Sequence, residues 1–115
     1  MQLHIKGRNL LLAPAVIERI ERRLRFALSR FADCIDRVTV QFADLNGPRG
    51  GVDKQCRIVV KLRRGGEVVV EDTATDLETA IDRGADRAQR AVARALARMH
   101  PTEDSPSFVP TEDQS

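Results

Sequence analysis

The sequence predicts a two-layer α+β sandwich with the element order β-α-β-β-β-α, and three observations predict it. Four short segments alternate apolar and polar residues, two longer ones repeat apolar residues at helical spacing, and every element has one apolar face. A four-stranded mixed sheet with both helices on one face satisfies all three.

The first strand covers residues 2–7, with Leu3 and Ile5 facing one way and Gln2, His4 and Lys6 the other. Pro14 suits the first turn of a helix. Ile17, Ile20, Leu24, Leu28 and Phe31 then recur at helical spacing, so the first helix is predicted over 14–31. Ala13 offers its free amides no side-chain acceptor, so the helix starts poorly capped. Phe26, on the flank of this helix, is the one ring placed where it could stack on an RNA base; core packing is the favoured reading.

Val38, Val40 and Phe42 mark the second strand, and Cys56, Ile58, Val60 and Leu62 the third. The fourth runs from Glu67 to about Asp72 with Val68 and Val70 inward. A three-residue turn of Arg64, Gly65 and Gly66 would put Leu62 opposite Val68 and Val60 opposite Val70, keeping the apolar faces together. Thr75 and Glu78 have the spacing of a capping box. The apolar stripe that follows, from Leu77 through Ala88 and Val92 to Met99, predicts a second helix over 76–99 that stops before Pro101. The first strand, helix and second strand make a crossover, which implies a parallel pair; the two hairpins make the other pairs antiparallel.

A chain of 115 residues suits one domain. The domain is expected over residues 1–100, and residues 101–115, rich in Pro, Ser, Thr and acids, are expected to be a disordered acidic tail. Cys34 and Cys56 form no CxxC pair. The polar start lacks a signal-peptide pattern and no apolar run reaches membrane-spanning length, so a cytoplasmic protein with free thiols is expected.

Net charge is +2 overall but divides unevenly. The tail carries −4, while the first hundred residues hold 19 basic and 13 acidic side chains, a net +6. Sixteen of the basic residues are Arg and three are Lys, and arginine's planar fork grips phosphates with paired hydrogen bonds. The strongest motif lies on the second helix. Arg83, Arg87, Arg90, Arg94 and Arg98 are spaced 4, 3, 4 and 4, so they fall within an arc of about 80°, roughly 100° from the apolar stripe. A merely solvated face is the alternative reading. Such a face interleaves acids to relieve repulsion, yet Asp82 and Asp86 sit only near one edge and no acid follows between residues 87 and 100. The first helix repeats the theme with Arg22, Arg23 and Arg25, beside Arg19 and Arg30. Two arginine ridges with a groove between them would read an RNA backbone rather than its bases.

Asn46 to Gly51 makes a Gly-rich connection longer than a hairpin needs, with Arg49 at its tip as a further candidate RNA contact. It does not open a helix, so a phosphate loop is not indicated. His4, Cys34, Cys56 and His100 lack metal-ligand spacing, so no metal is expected. No nucleophile–base arrangement stands out. No enzyme, cofactor, small-molecule substrate or membrane partner is expected.

Several of these features together resemble the ribosome hibernation-promoting factors, also described as ribosome-associated inhibitors or sigma modulation proteins. The resemblance covers about residues 1–98. It rests on Leu3-His4-Ile5-Lys6-Gly7, on the Pro14-Ala15 helix start, on the element order, and on Asp76-Leu77-Glu78-Thr79-Ala80-Ile81-Asp82 at the last helix. The family implies binding to the small ribosomal subunit where messenger and transfer RNA pass, silencing translation in starvation. By motif alignment it implies Arg87, Arg90 and Arg94, with Arg22, Arg23 and Arg25, as rRNA contacts. The chain departs from the family's usual Tyr at Glu78, from its Thr at Ala13, and in the longer loop 44–53. By the same resemblance, the dimerising domain of long members is not expected. Two other readings fit the residues: a structured-RNA-binding module, its two-layer shape resembling double-stranded-RNA-binding domains, that acts away from the ribosome, and a regulatory domain whose arginines meet an acidic protein.

Overall fold

Alternation builds the sheet. In the computed structural model, which describes residues 1–8, 12–45 and 54–99, four strands lie in sequence order: β1 (Gln2–Arg8), β2 (Ile35–Asp44), β3 (Lys54–Leu62) and β4 (Glu67–Ala74). β1 runs parallel to β2, with Leu3 opposite Val38 and Ile5 opposite Val40, and the other pairs are antiparallel. Val38, Val40, Phe42, Cys56, Ile58 and Val60 are fully buried on one face. Arg37, Gln41, Arg57 and Lys61 alternate outward and are exposed. Ile35 and Val38 are both buried although three residues apart; a register shift between Ile35 and Arg37 absorbs the extra residue.

The turn between β3 and β4 differs from the expected register by two residues. Val60 faces Val68 and Ile58 faces Val70. Leu62 closes the turn instead of facing Val68: its N–H donates to the Gly66 carbonyl at 3.1 Å, and its own carbonyl accepts from the Gly65 N–H at 3.1 Å. The three turn residues are therefore Arg63, Arg64 and Gly65. Gly65 and Gly66 take φ of +99° and +88°, where a side chain would be strained. A slip of two residues preserves the faces, so Val68 stays buried.

Two helices cover the buried face. α1 (Pro14–Leu28) buries Ile20, Leu24, Ala27 and Leu28 and has no side-chain cap at Ala13. It ends three residues earlier than expected, because a 3₁₀ helix, Ser29–Cys34, takes over and carries Phe31 against the core. α2 (Leu77–Met99) is capped by Asp76, not by Thr75. The Asp76 carboxylate accepts the Thr79 N–H at 2.8 Å and the Thr79 hydroxyl at 3.1 Å, which leaves Glu78 free for another partner. Those bonds, the Thr79 N–H first, hold the Asp76 carboxyl below its ordinary value.

α2 packs on β3 and β4 with small residues, Ala80, Gly84, Ala85, Ala88 and Ala95, around Val92. A Cβ at Gly84 would lie 3.1 Å from Ile58 Cδ1 and 3.4 Å from Cys56 Sγ, so the glycine lets helix and sheet approach closely. Cys56 is buried and Cys34 exposed, both as free thiols. Burial, with Asp72 nearby, pushes the Cys56 thiol up to about 12. The expected tail at 101–115 and the Gly-rich loop with Arg49 lie outside the described residues.

Candidate nucleic-acid interface

The arginines of the two helices do not form facing ridges. α2 carries its acids on the flank toward α1 and its arginines on the opposite flank, toward β4. Arg23 Nε lies 3.1 Å from Asp82 Oδ1 and Arg23 Nη2 lies 2.9 Å from Asp86 Oδ1; Nη2 also donates to the Asp82 carbonyl at 3.4 Å. Arg19 meets Glu78 at 2.6 Å. These pairs match the charge along the seam between the helices, so the groove there is not flanked by two basic ridges as the sequence predicted. Periodicity gives the angle between arginines and core, but the strand order decides which neighbour each flank meets.

On the far flank, α2 overhangs β4, an edge strand of the sheet. Arg83 donates to the Thr73 carbonyl and Arg87 to the Glu71 carbonyl, each at 3.1 Å. Asp72 lies 3.8 Å from Arg83 and 3.5 Å from Arg87. The two side chains thus cover edge carbonyls that would otherwise invite another strand. Farther along the helix, Arg90, Arg94 and Arg98 are exposed and have no ion-pair or hydrogen-bond partner among the described residues. Arg57, from the outer sheet face, joins Arg87, Arg90 and Arg94 around a groove of about 740 Å³ whose wall includes Val69, Val70 and Ala91. Glu71 is the acid in that lining and sits 3.8 Å from Arg57.

The α1 candidates divide as well. Arg23 is only 28% exposed at its side chain and is held by Asp82 and Asp86. Arg22 is exposed and 3.7 Å from Glu18, while Arg25 is exposed without a partner among the described residues. Arg30 lies over the Phe31 ring at 5.3 Å. Phe26, expected in the core, is 79% exposed. Arg57 beside the α2 row is a candidate the sequence reading does not name, and the exposure of Phe26 overturns the favoured core reading. Strand alternation placed Arg57 outward, and Phe26 falls two residues from both Leu24 and Leu28, off the core-facing arc.

Among the described residues, no group of three or more His, Cys, Asp or Glu could hold a metal ion, and no helix is long and apolar enough to cross a membrane. The site is thus a row of fixed positive charge with a shallow apolar wall, which suits an extended anion.

The chain is similar to solved proteins that share its α+β fold. The N-terminal domain of Protein Y from Thermus thermophilus is 30% identical, with 83% of this chain and 99% of that one covered and a TM-score of 0.67. A ribosomal subunit interface protein from Coxiella burnetii shares the fold at 19% identity and a TM-score of 0.69, covering 84% of this chain and 99% of that one. A comparison with curated proteins gives no match. The model of the sigma 54 modulation protein / S30EA ribosomal protein family matches residues 3–100. The chain belongs to that family, in agreement with the resemblance of its opening strand and of the start of α2.

Proposed function

We propose that this chain binds the small ribosomal subunit in the cytoplasm and silences translation, as a hibernation factor whose α2 flank lies along rRNA backbone. The observation that carries the reading is the run Arg90, Arg94 and Arg98, exposed and unpaired on one flank of α2 beside Arg57 and Arg87. Helix electrostatics alone do not account for it. A helix C-terminus favours cations, but the effect fades beyond the last turn, which leaves Arg90 and Arg94 without that reason. Phosphates supply one: each contact releases counterions and adds affinity without reading sequence.

In this reading Arg83 and Arg87 add contacts at the β4 edge, Arg22 and Arg25 extend the surface onto α1, and Arg49 adds one from the loop. Arg23 holds the seam. Binding and obstruction require no bond to be made or broken, so no catalytic residue is assigned.

Sedimentation of ribosomes through sucrose at near-physiological salt tests it. The parent is expected to travel with the small subunit and with whole ribosomes. Replacing Arg87, Arg90 and Arg94 by Glu is expected to move the protein to the top of the gradient; the thermal midpoint should fall only through Arg87, which gives up the Glu71 carbonyl and Asp72, since the other two exposed substitutions cost little stability. Unchanged co-sedimentation of the triple variant would remove the assignment. Co-migration of the parent with free RNA or with an acidic protein would favour a role away from the ribosome.

A further inference from the structure

Phe26 is the most exposed large hydrophobic side chain among the described residues, at 79%. Its neighbours Leu24, Ala27 and Leu28 are buried, so α1 turns this ring away from a core it could have joined. Arg22 lies one turn before it and Arg25 directly precedes it; at 100° per residue all three share about a 100° arc of the helix. The ring also borders a groove of about 1020 Å³ between α1 and the start of α2, with Ile20 and Ile81 in its lining. Glu78 and Asp82 line that groove too, but Arg19 and Arg23 already pair with them. Next to the ring, Arg25 has no partner among the described residues, and Arg22 meets only the exposed Glu18, at 3.7 Å; Asp76, which also lines the groove, is engaged by Thr79.

An exposed aromatic ring between cations is the arrangement that holds single-stranded nucleic acid: the ring takes the flat face of a base and the cations take the phosphates on either side. A surface that reads only backbone has no use for the ring. Accordingly, we infer that Phe26 stacks on one unstacked RNA base while Arg22 and Arg25 hold the flanking phosphates. This rests on the RNA-binding reading above and extends it, because it assigns α1 a single-stranded segment whereas α2 follows backbone.

The composition provides a direct test. The chain has no Trp and no Tyr, so Phe26→Trp introduces a single indole fluorophore at the proposed stack. The probes are short single-stranded oligoadenylate, inorganic polyphosphate of matched charge, and small ribosomal subunits. Oligoadenylate and subunits are expected to quench the indole, and polyphosphate is not. Phe26→Leu is expected to weaken oligoadenylate binding between about fivefold and a hundredfold and to leave polyphosphate binding unchanged, and Phe26→Tyr should restore the parent affinity. Oligoadenylate binding that is equal for parent and Phe26→Leu, with no quenching at saturation, overturns the stack while the RNA reading stands. If the parent binds neither oligoadenylate nor subunits, both fall. Quenching by an acidic protein but not by RNA also overturns the stack, in favour of a protein partner.

Discussion

On the flank of α2 that faces α1, Glu78, Asp82 and Asp86 are each met by an arginine of α1. On the flank that faces β4, Arg83 and Arg87 are met by Asp72 and by main-chain carbonyls, and Arg90, Arg94 and Arg98 by nothing among the described residues. The same helix thus spends its charge internally on one side and keeps it available on the other. The contrast shows that counting arginines overstates a binding surface. Arg23 looks as suitable as Arg90 in the sequence, yet two carboxylates hold its guanidinium. An unpaired row of like charge is also mildly unfavourable to the free protein, whereas the seam is not, so only the far flank stands to gain from an anionic partner.

The contrast is tested most severely by neutralising the unpaired row. Arg90→Ala, Arg94→Ala and Arg98→Ala combined are expected to weaken binding to small subunits by roughly a hundredfold, taking about 1 kcal/mol for each charged hydrogen bond to phosphate. The slope of log affinity against log salt should flatten by about 0.9 for each phosphate no longer neutralised. The thermal midpoint should stay within about a degree, because the three side chains touch no described partner and exposed changes cost little. A salt slope equal to the parent's would show that the row is merely solvated.

A second change converts the seam into something like the far flank. Asp82→Asn with Asp86→Asn removes both carboxylates from Arg23 and leaves its guanidinium free to meet RNA. Affinity for arbitrary RNA should rise severalfold at low salt, where screening is weakest, while stability falls by at most about 1 kcal/mol, since these are largely exposed ion pairs. Arg23→Ala should cost a similar amount of stability and leave the salt slope of ribosome binding unchanged. If Arg23→Ala instead flattens that slope, Arg23 leaves the seam to contact RNA, and the division between the flanks is wrong.

Much of the fold could be read before the structure because its signals are local and repeated. Val38, Val40, Phe42, Ile58 and Val60 announce their face by alternation, and Ala80, Ala88 and Val92 theirs by helical spacing. What escaped was set by geometry that such patterns do not carry. The β3–β4 register could slip by two residues without moving any side chain to the other face, and the one that forms is closed by the Leu62–Gly66 turn bonds with Gly65 and Gly66 at positive φ. The capping-box spacing pointed to Thr75, whereas the carboxylate that accepts the Thr79 N–H belongs to its neighbour Asp76. The α2 arginines were legible as a stripe. Their separation from α1 was not, because it depends on β4 lying at one edge of the sheet and α1 on the other side of the helix.

The smallest expected effect is at the end of the seam, where Asp76 caps α2 next to the Arg19–Glu78 pair. Its carboxyl is held below the ordinary value of 3.8, chiefly by the Thr79 N–H and then by the Thr79 hydroxyl. A folded value below the unfolded one means that the charged cap stabilises the fold fully above about pH 3.8 and loses that contribution as pH falls through the lower folded value. Asp76→Ala should therefore lower the thermal midpoint modestly at neutral pH, and the gap to the parent should narrow as the pH falls below about 3.8. Asp76→Asn, which keeps an acceptor for the Thr79 amide, should lose less at neutral pH. Thermal melts of the three proteins across that range decide it. If the parent and Asp76→Ala differ by the same amount at neutral pH and well below 3.8, the carboxylate charge contributes nothing. The seam would then begin with the Arg19–Glu78 pair alone, and ribosome binding through the far flank should be indifferent to either substitution.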